Sequence, residues 1–230
     1  MKYCIFLLLS ILPISAETLH YVINWPSGLS LGEATLSTNH MMSSTGAYSH
    51  EFLISDFEVA FSIPGYTVSD HYHSSAEGTG NGLCSTKLEK TVRRGSRKGG
   101  ETITFHQDTH TITRETQGEG GGKSDVNVSD CSRDALTFLQ FARSELAQGR
   151  LAPRQSVVLG GLYEVRLDGM GAQTVKVGGK PVETDGVKAS ITGPASSNTV
   201  EIFFSRDPAR TPVLINIPLS LGKFTAELIH

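Results

Sequence analysis

The chain has 230 residues, enough for one large β domain or two small domains. Its 20 basic residues against 23 acidic residues give a net charge of −3, and this balance argues against a nucleic-acid-binding protein. After the N-terminal segment described next, no apolar run approaches the ~20 residues that cross a bilayer, so we expect a mature protein that does not span a membrane.

Residues 1–16 have the layout of a secretory signal peptide. Lys2 gives a basic start, residues 4–12 form a short apolar core, and Ala16 is a small residue after which a signal peptidase can cut. We therefore predict an exported mature chain, residues 17–230, that forms a single β-rich domain. We expect it in the periplasm or secreted.

Alternating apolar and polar residues, which are typical of half-buried strands, run through most of the mature chain. In the first strand, Leu19, Tyr21 and Ile23 alternate with polar neighbours. The later predicted strands are 29–36, 49–54, 59–63, 68–75, 83–93, 101–105, 109–115, 156–159, 162–167, 173–177, 187–192, 199–205, 213–217 and 224–228. Glycine-rich turns separate them at short intervals, so the pattern favours a meander-like antiparallel sheet over βαβ units.

Two histidines, His71 and His73, lie in one predicted strand. Alternate strand residues share a face, so both imidazoles can approach one metal ion, but Asp70 points the other way and no third ligand is evident. We interpret the pair as solvent-facing and predict no metal site. His106 and His110 flank a predicted turn and are interpreted in the same way.

The hairpin that follows has the densest charge in the chain. Its basic residues are Lys87, Lys90, Arg93, Arg94, Arg97 and Lys98. One interpretation is a solvated hairpin whose charges discourage pairing with other strands. The other is contact with anionic envelope material through Arg93, Arg94, Arg97 and Lys98. Neither interpretation gives these residues a catalytic role.

Cys84 and Cys131 are the cysteines of the predicted mature chain. An even number of cysteines in an oxidising compartment predicts one disulfide, which would tie the base of the hairpin to the start of the helix described next. Two buried free thiols are the alternative.

Residues 132–148 contain neither glycine nor proline and carry apolar residues at helical spacing. We predict one substantial helix here, with Asp130 or Ser132 as its N-cap and Gly149 in the left-handed position that ends it. Asp134 is expected in the first turn and Arg143 as an ion-pair partner. The face formed by Leu136, Leu139 and Leu146 is expected to pack on the sheet.

Four segments occur in a characteristic order: a strand at 28–36 with a glycine before Glu33-Ala34, the hairpin 87–105, the helix from Asp134 to Gly149, and the C-terminal segment 203–228. Together they resemble a bacterial exported family known as domain of unknown function 3108. The resemblance implies an exported β-rich protein without an established activity, and it supplies no catalytic residue. The family's fold looks similar to the open β-barrels of periplasmic lipoprotein carriers and sensors.

We therefore expect a mainly β protein: a large curved antiparallel sheet, or open barrel, with the 132–148 helix packed on its concave face. Such a sheet can hold an acyl chain if the helix leaves space. The predicted function is a non-catalytic envelope protein, with no cofactor, that binds a hydrophobic or amphiphilic ligand such as a lipid, or another envelope protein.

The candidate ligand-binding residues on the helix and the first strand are Leu136, Phe138, Leu139, Ala142 and Tyr21. Further inward strand positions are Leu19, Ile23, Val213, Ile215 and Ile217. Two alternatives remain open. One is an envelope hydrolase or metal-dependent enzyme that uses the histidines of the first half. The other is a scaffold without a cavity that binds another chain along an exposed sheet edge.

Overall fold

The computed structural model describes residues 15–45, 48–63, 65–80, 82–118, 120–194, 196–219 and 222–229. The predicted signal peptide lies outside the described residues, apart from Ser15 and Ala16, which begin the first strand.

The described residues form fifteen strands and one helix. In the first half these are β1 Ser15–Asn24, β2 Ser30–Thr45, β3 Tyr48–Ile63, β4 Tyr66–Thr79, β5 Gly82–Arg94, β6 Arg97–His106, β7 Thr111–Gln117 and β8 Lys123–Asn127. In the second half they are β9 Arg133–Asp134, α1 Ala135–Ala147, β10 Gln155–Val158, β11 Leu162–Val177, β12 Lys180–Thr192, β13 Ser197–Ser205, β14 Pro212–Leu219 and β15 Gly222–Leu228.

All fifteen strands belong to one sheet, in the order β8-β7-β6-β5-β4-β3-β2-β1-β15-β14-β13-β12-β11-β10-β9. The first and last strands pair with each other, with Tyr21 opposite Leu228, so the two halves of the chain meet in the middle of the sheet. The predicted fold class is confirmed: the chain is mainly β, and its large curved sheet is an open barrel with one helix packed on it.

The β9 end of the sheet approaches β5, the fourth strand from the other end, without closing the barrel by strand pairing. The backbone N–H of Ser85 in β5 donates to the carbonyl of Ser132, just before β9, at 3.0 Å. Val158 of β10 packs against Leu88, Ile103 and Phe105 of β5 and β6. The apolar face of the sheet is thereby turned inward, and most of the buried apolar side chains lie there.

The predicted strands omit β8 and β9, and three further details of them are wrong. Segments 49–54 and 59–63 form one strand, β3. Outward-facing Asp56 and Glu58 alternate with inward-facing Phe57 and Val59, so the charged residues do not interrupt the strand. Segments 162–167 and 173–177 form one strand, β11, in which a bulge at Gly169/Gly171 absorbs the extra residue. Finally, β9 and β10 are parallel, with α1 as the crossover that parallel neighbours require.

The predicted helix is present, but its N-cap is Asp134 and not Asp130 or Ser132. Residues 133–134 are drawn into strand pairing with β10, so the backbone becomes helical only at Ala135. The carboxylate Oδ1 of Asp134 accepts the N–H groups of Leu136 and Thr137 at 2.8 and 3.2 Å. At the other end, Gly149 adopts the expected left-handed conformation, with a φ of 75°.

The predicted disulfide is present between Cys84 of β5 and Cys131, with Cα atoms 4.7 Å apart. This separation lies within the usual range for a disulfide. The bond joins β5 to the segment that leads into β9 and α1, so it holds the start of the helix against β5.

Replacing both cysteines, Cys84→Ala with Cys131→Ala, should lower the free energy of unfolding by ~4 kcal/mol, the loop-closure value for a separation of 47 residues. Chemical denaturation measures this difference. Wild-type protein unfolded in a reducing agent is the matched control and should behave like the double variant. Equal stability of oxidised wild type and double variant would contradict a stabilising disulfide.

Asp134 is the second anchor of the helix start. Its Oδ2 accepts hydrogen bonds from the buried hydroxyls of Ser74, Ser85 and Thr137 at 2.7, 2.6 and 3.1 Å.

Asp134→Asn removes the charge and replaces one acceptor by a donor, so it should lower the free energy of unfolding by ~3 kcal/mol. Asp130→Asn, at an exposed carboxylate, is the control and should change stability by less than ~0.5 kcal/mol. Equal effects of the two variants would refute the capping role.

Candidate functional site

The concave face of the sheet and the helix enclose a cavity of about 850 Å³. Ligand-binding pockets of proteins typically have volumes of ~300–1,000 Å³. All elements except β7 and β8 contribute lining side chains, and most of these are aliphatic or aromatic. This cavity is the candidate functional site.

Strand alternation builds the wall of the cavity. Tyr21 and Ile23 of β1 line it, as do Val187, Ala189 and Ile191 of β12. Intervening residues such as Lys188 are exposed on the outer face. Among the other predicted inward positions, Ile215 and Ile217 line the cavity, whereas Leu19 is packed in a core cluster beside it. Val213 is buried but is not a lining residue, because it lies at a bulge between β13 and β14.

The helix closes one end of the cavity. The structure places all four helical candidates, Leu136, Phe138, Leu139 and Ala142, on the cavity wall. Phe138 and Ala142 are buried, whereas Leu136 and Leu139 are half-buried. Leu146 is also half-buried but does not line the cavity, because Ala142 is the last residue of the helix to reach it.

Hydrogen bonds from the side chains of Arg143 and Tyr21 hold this closed end together. Arg143 donates from both terminal nitrogens to Glu17 at 2.6 and 2.9 Å, and from Nε to the carbonyl of Ala209 at 3.0 Å. Tyr21 donates its hydroxyl to the carbonyl of Pro212 at 2.8 Å. Burial raises the pKa of the Tyr21 phenol, so this candidate residue presents a neutral ring to the cavity.

The opposite end of the cavity is an apolar mouth, which the sequence analysis did not identify. Because neighbouring strands run antiparallel, the β1–β2, β3–β4 and β14–β15 turns all lie at this end. Trp25 and Phe224 line it in an edge-to-face contact with ring centroids 4.8 Å apart. Tyr66 and Ile217 line the mouth while remaining 43% and 37% exposed. The position of the single tryptophan in a predicted turn was the available signal.

Three charged residues line the cavity within the described part of the chain: Lys90, Glu101 and Asp134. Asp134 is fully engaged as the helix cap. Glu101 is buried and receives a hydrogen bond from Arg114 Nε. Lys90 Nζ lies 3.9 Å from the second carboxylate oxygen of Glu101 and 5.5 Å from the centroid of the Tyr72 ring. Lys90 was predicted to belong to a solvated cluster, but its spacing of two from buried Leu88 indicates the inner face.

The basic hairpin is divided between the two faces of the sheet. Arg93 and Lys98 are opposite each other and exposed. Arg94 and Arg97 form the next pair, and Arg94 donates from Nε to the buried carboxylate of Asp70 at 3.0 Å. Lys87 pairs with Glu89 at 2.9 Å on the outer face. Strand alternation directs Arg93 and Lys98 to one face and Arg94 and Arg97 to the other, and contact of these four residues with anionic material stays a prediction.

The two strand histidines lie on the outer face of the sheet. His71 Nε2 and His73 Nδ1 approach the same oxygen of Asp56 at 3.3 and 2.7 Å. Convergence of two histidines on a carboxylate favours the hydrolase alternative, but the sheet separates this group from the cavity. Among the residues that the structure describes, no group of three or more histidine, cysteine, aspartate or glutamate side chains is placed to hold a metal ion.

Within the described ranges, no helix is both long and apolar enough to cross a bilayer. No curated protein matches the chain. Among solved structures, it is similar to the crystal structure of a β-barrel-like protein of domain of unknown function DUF1849 from Brucella abortus, with a TM-score of 0.55 and 7% sequence identity. The match covers 94% of this chain and 96% of that one, and at this identity it supports the fold alone.

The family comparison agrees with the resemblance seen in the sequence. The model of the family described as "Protein of unknown function (DUF3108)" matches residues 20–229, which includes β1 to β15 almost entirely. The chain belongs to the DUF3108 family.

Proposed function

We propose that this protein is an exported, non-catalytic binding protein that holds the apolar chain of an amphiphile inside its open barrel. The observation that carries the proposal is the 850 Å³ cavity with predominantly apolar walls. Protein interiors are normally packed with few voids larger than a water molecule. An apolar cavity of this size therefore favours an apolar guest.

The two ends of the cavity favour an elongated ligand that enters from one side. The helix and the Arg143–Glu17 ion pair close one end. The mouth, with Trp25, Tyr66 and Phe224, is apolar and partly exposed. A single alkyl chain can pass the mouth and extend toward Phe138 and Leu139 while its polar head group stays near the rim. This arrangement suits an amphiphile better than a compact apolar molecule.

Export is part of the proposal and rests on the signal-like segment 1–16. The Cys84–Cys131 disulfide supports it, because disulfides persist mainly in oxidising compartments such as the periplasm. Cleavage after Ala16 would keep Glu17, the partner of Arg143, in the mature chain.

The other two hypotheses receive less support from the site. For a hydrolase, the histidine–carboxylate group is on the outer face and does not share a substrate site with the cavity. For a cavity-free scaffold, the barrel would be filled, and it is not. The exposed edge strand β8 remains a place where another chain can pair, and its charged and polar sequence is typical of protected edges.

Chain-length dependence of binding tests the proposal. Each buried methylene contributes ~0.8 kcal/mol, so the affinity for decanol, dodecanol and tetradecanol should increase by about four-fold per methylene until the cavity is filled. Calorimetric titration of the purified mature protein measures these affinities.

A pair of leucine substitutions, one inside the cavity and one outside it, provides a matched test of the proposal. Ala189→Leu places extra carbon atoms on the inner wall and should weaken binding of the longest alcohol by at least about ten-fold. Lys188→Leu introduces the same side chain at the neighbouring exposed position and should bind as wild type does. Thermal melting checks that both variants fold. Absence of binding by wild type, or equal binding by both variants, would overturn the proposal.

A further inference from the structure

Lys90 is the one cation that lines the cavity among the described residues. Its side chain is 23% exposed, and its ammonium group points toward the aromatic ring of Tyr72. An ammonium group has three hydrogen-bond donors. In the described part of the chain, its closest carboxylate oxygen is at 3.9 Å, which is too far for a hydrogen bond.

The charges around Lys90 do not balance. Glu101 is the nearby carboxylate, and its other oxygen already accepts from Arg114 Nε. Two cations therefore share one buried carboxylate, which leaves one positive charge in excess beside an apolar cavity. A charge that is partly removed from water is costly unless a counter-charge is supplied. A bound anion would supply both the charge and the acceptors that Lys90 lacks.

The position of Lys90 also fits a head group. Lys90 lies on β5, four residues before the end of the strand at the mouth. Its ammonium group is close to the turn between β10 and β11, because Nζ would lie 4.0 Å from a Cβ atom placed on Gly160. From there Leu88 and Ile103 continue the wall in the direction of the helix. At the far end, the carboxylate of Asp134 disfavours an anion that enters head first.

We propose that Lys90 binds the anionic head group of the ligand, so that the ligand class is an anionic amphiphile with one long alkyl chain, a fatty carboxylate or an alkyl phosphate. This inference rests on the proposed function and specifies its ligand. The alkyl chain extends from Lys90 toward α1, and the head group pairs with the ammonium group at the rim of the cavity.

Three probes with the same chain separate head-group recognition from chain binding: hexadecanoate, hexadecyl phosphate and hexadecanol. At neutral pH, wild-type protein should prefer at least one of the two anions over the alcohol by about ten-fold or more, the range of a hydrogen bond to a charged group. The preferred anion shows whether the head group of the ligand is a carboxylate or a phosphate.

Lys90→Met keeps the apolar stem and removes the charge. It should reduce the preference for the anion to less than about two-fold, while its affinity for hexadecanol stays close to that of wild type. Lys90→Arg should retain the preference. Lys87→Met, the same change at an exposed lysine on the outer face of the same strand, is the matched control and should retain it as well. Lys90→Gln replaces Lys90→Met if the latter lacks a native melting transition.

The possible failures are distinguishable. If wild type binds hexadecanol but shows no preference for either anion, or if Lys90→Met keeps the full preference, the inference is overturned while the proposed function stands. If wild type binds none of the three probes, the proposed function fails and this inference fails with it.

Discussion

The architecture depends on a mismatch between the area of the sheet and the size of the helix that covers it. A sheet of fifteen strands turns a large apolar face inward, and α1, with 13 residues, is the one helix of the described chain that packs on this face. The helix covers the face at one end only. The remaining apolar surface is shielded from bulk water by the curvature of the sheet, and a cavity is left between the walls.

The position of the helix decides where this space lies. Its start is held at Asp134, whose carboxylate accepts hydrogen bonds from Ser74 and Ser85 on the two neighbouring strands β4 and β5. Its later turns are held by Arg143, which pairs with Glu17 at the beginning of β1. Because both attachments use buried charge-assisted hydrogen bonds, displacement of the helix would leave unpaired charges in the interior. The helix is therefore a fixed closure of one end.

The mouth has the opposite character. Its turns carry aromatic and aliphatic side chains that are partly exposed, and Leu29 in the β1–β2 turn is 66% exposed. Near the mouth, Arg94 pairs with Asp70, whereas the ammonium group of Lys90 carries an excess charge. The two ends thus differ in both polarity and closure, which gives any bound amphiphile a preferred direction. This difference between the two ends of the barrel links the fold to the proposed function.

Features that depend on local patterns could be predicted from the amino-acid sequence. Period-two alternation gave most strands, a glycine-free amphipathic segment gave the helix, and two cysteines gave the disulfide. Helical spacing placed Leu136, Phe138, Leu139 and Ala142 among the cavity candidates, alternation placed Tyr21 there, and all five line the cavity. The N-cap could not be predicted in this way, because the donors that select Asp134 come from strands about 50 and 60 residues away along the chain. The mouth and the partial burial of Lys90 were also beyond prediction, since the burial of a side chain depends on how far the sheet curves and on which strands meet, and neither is encoded in a local pattern.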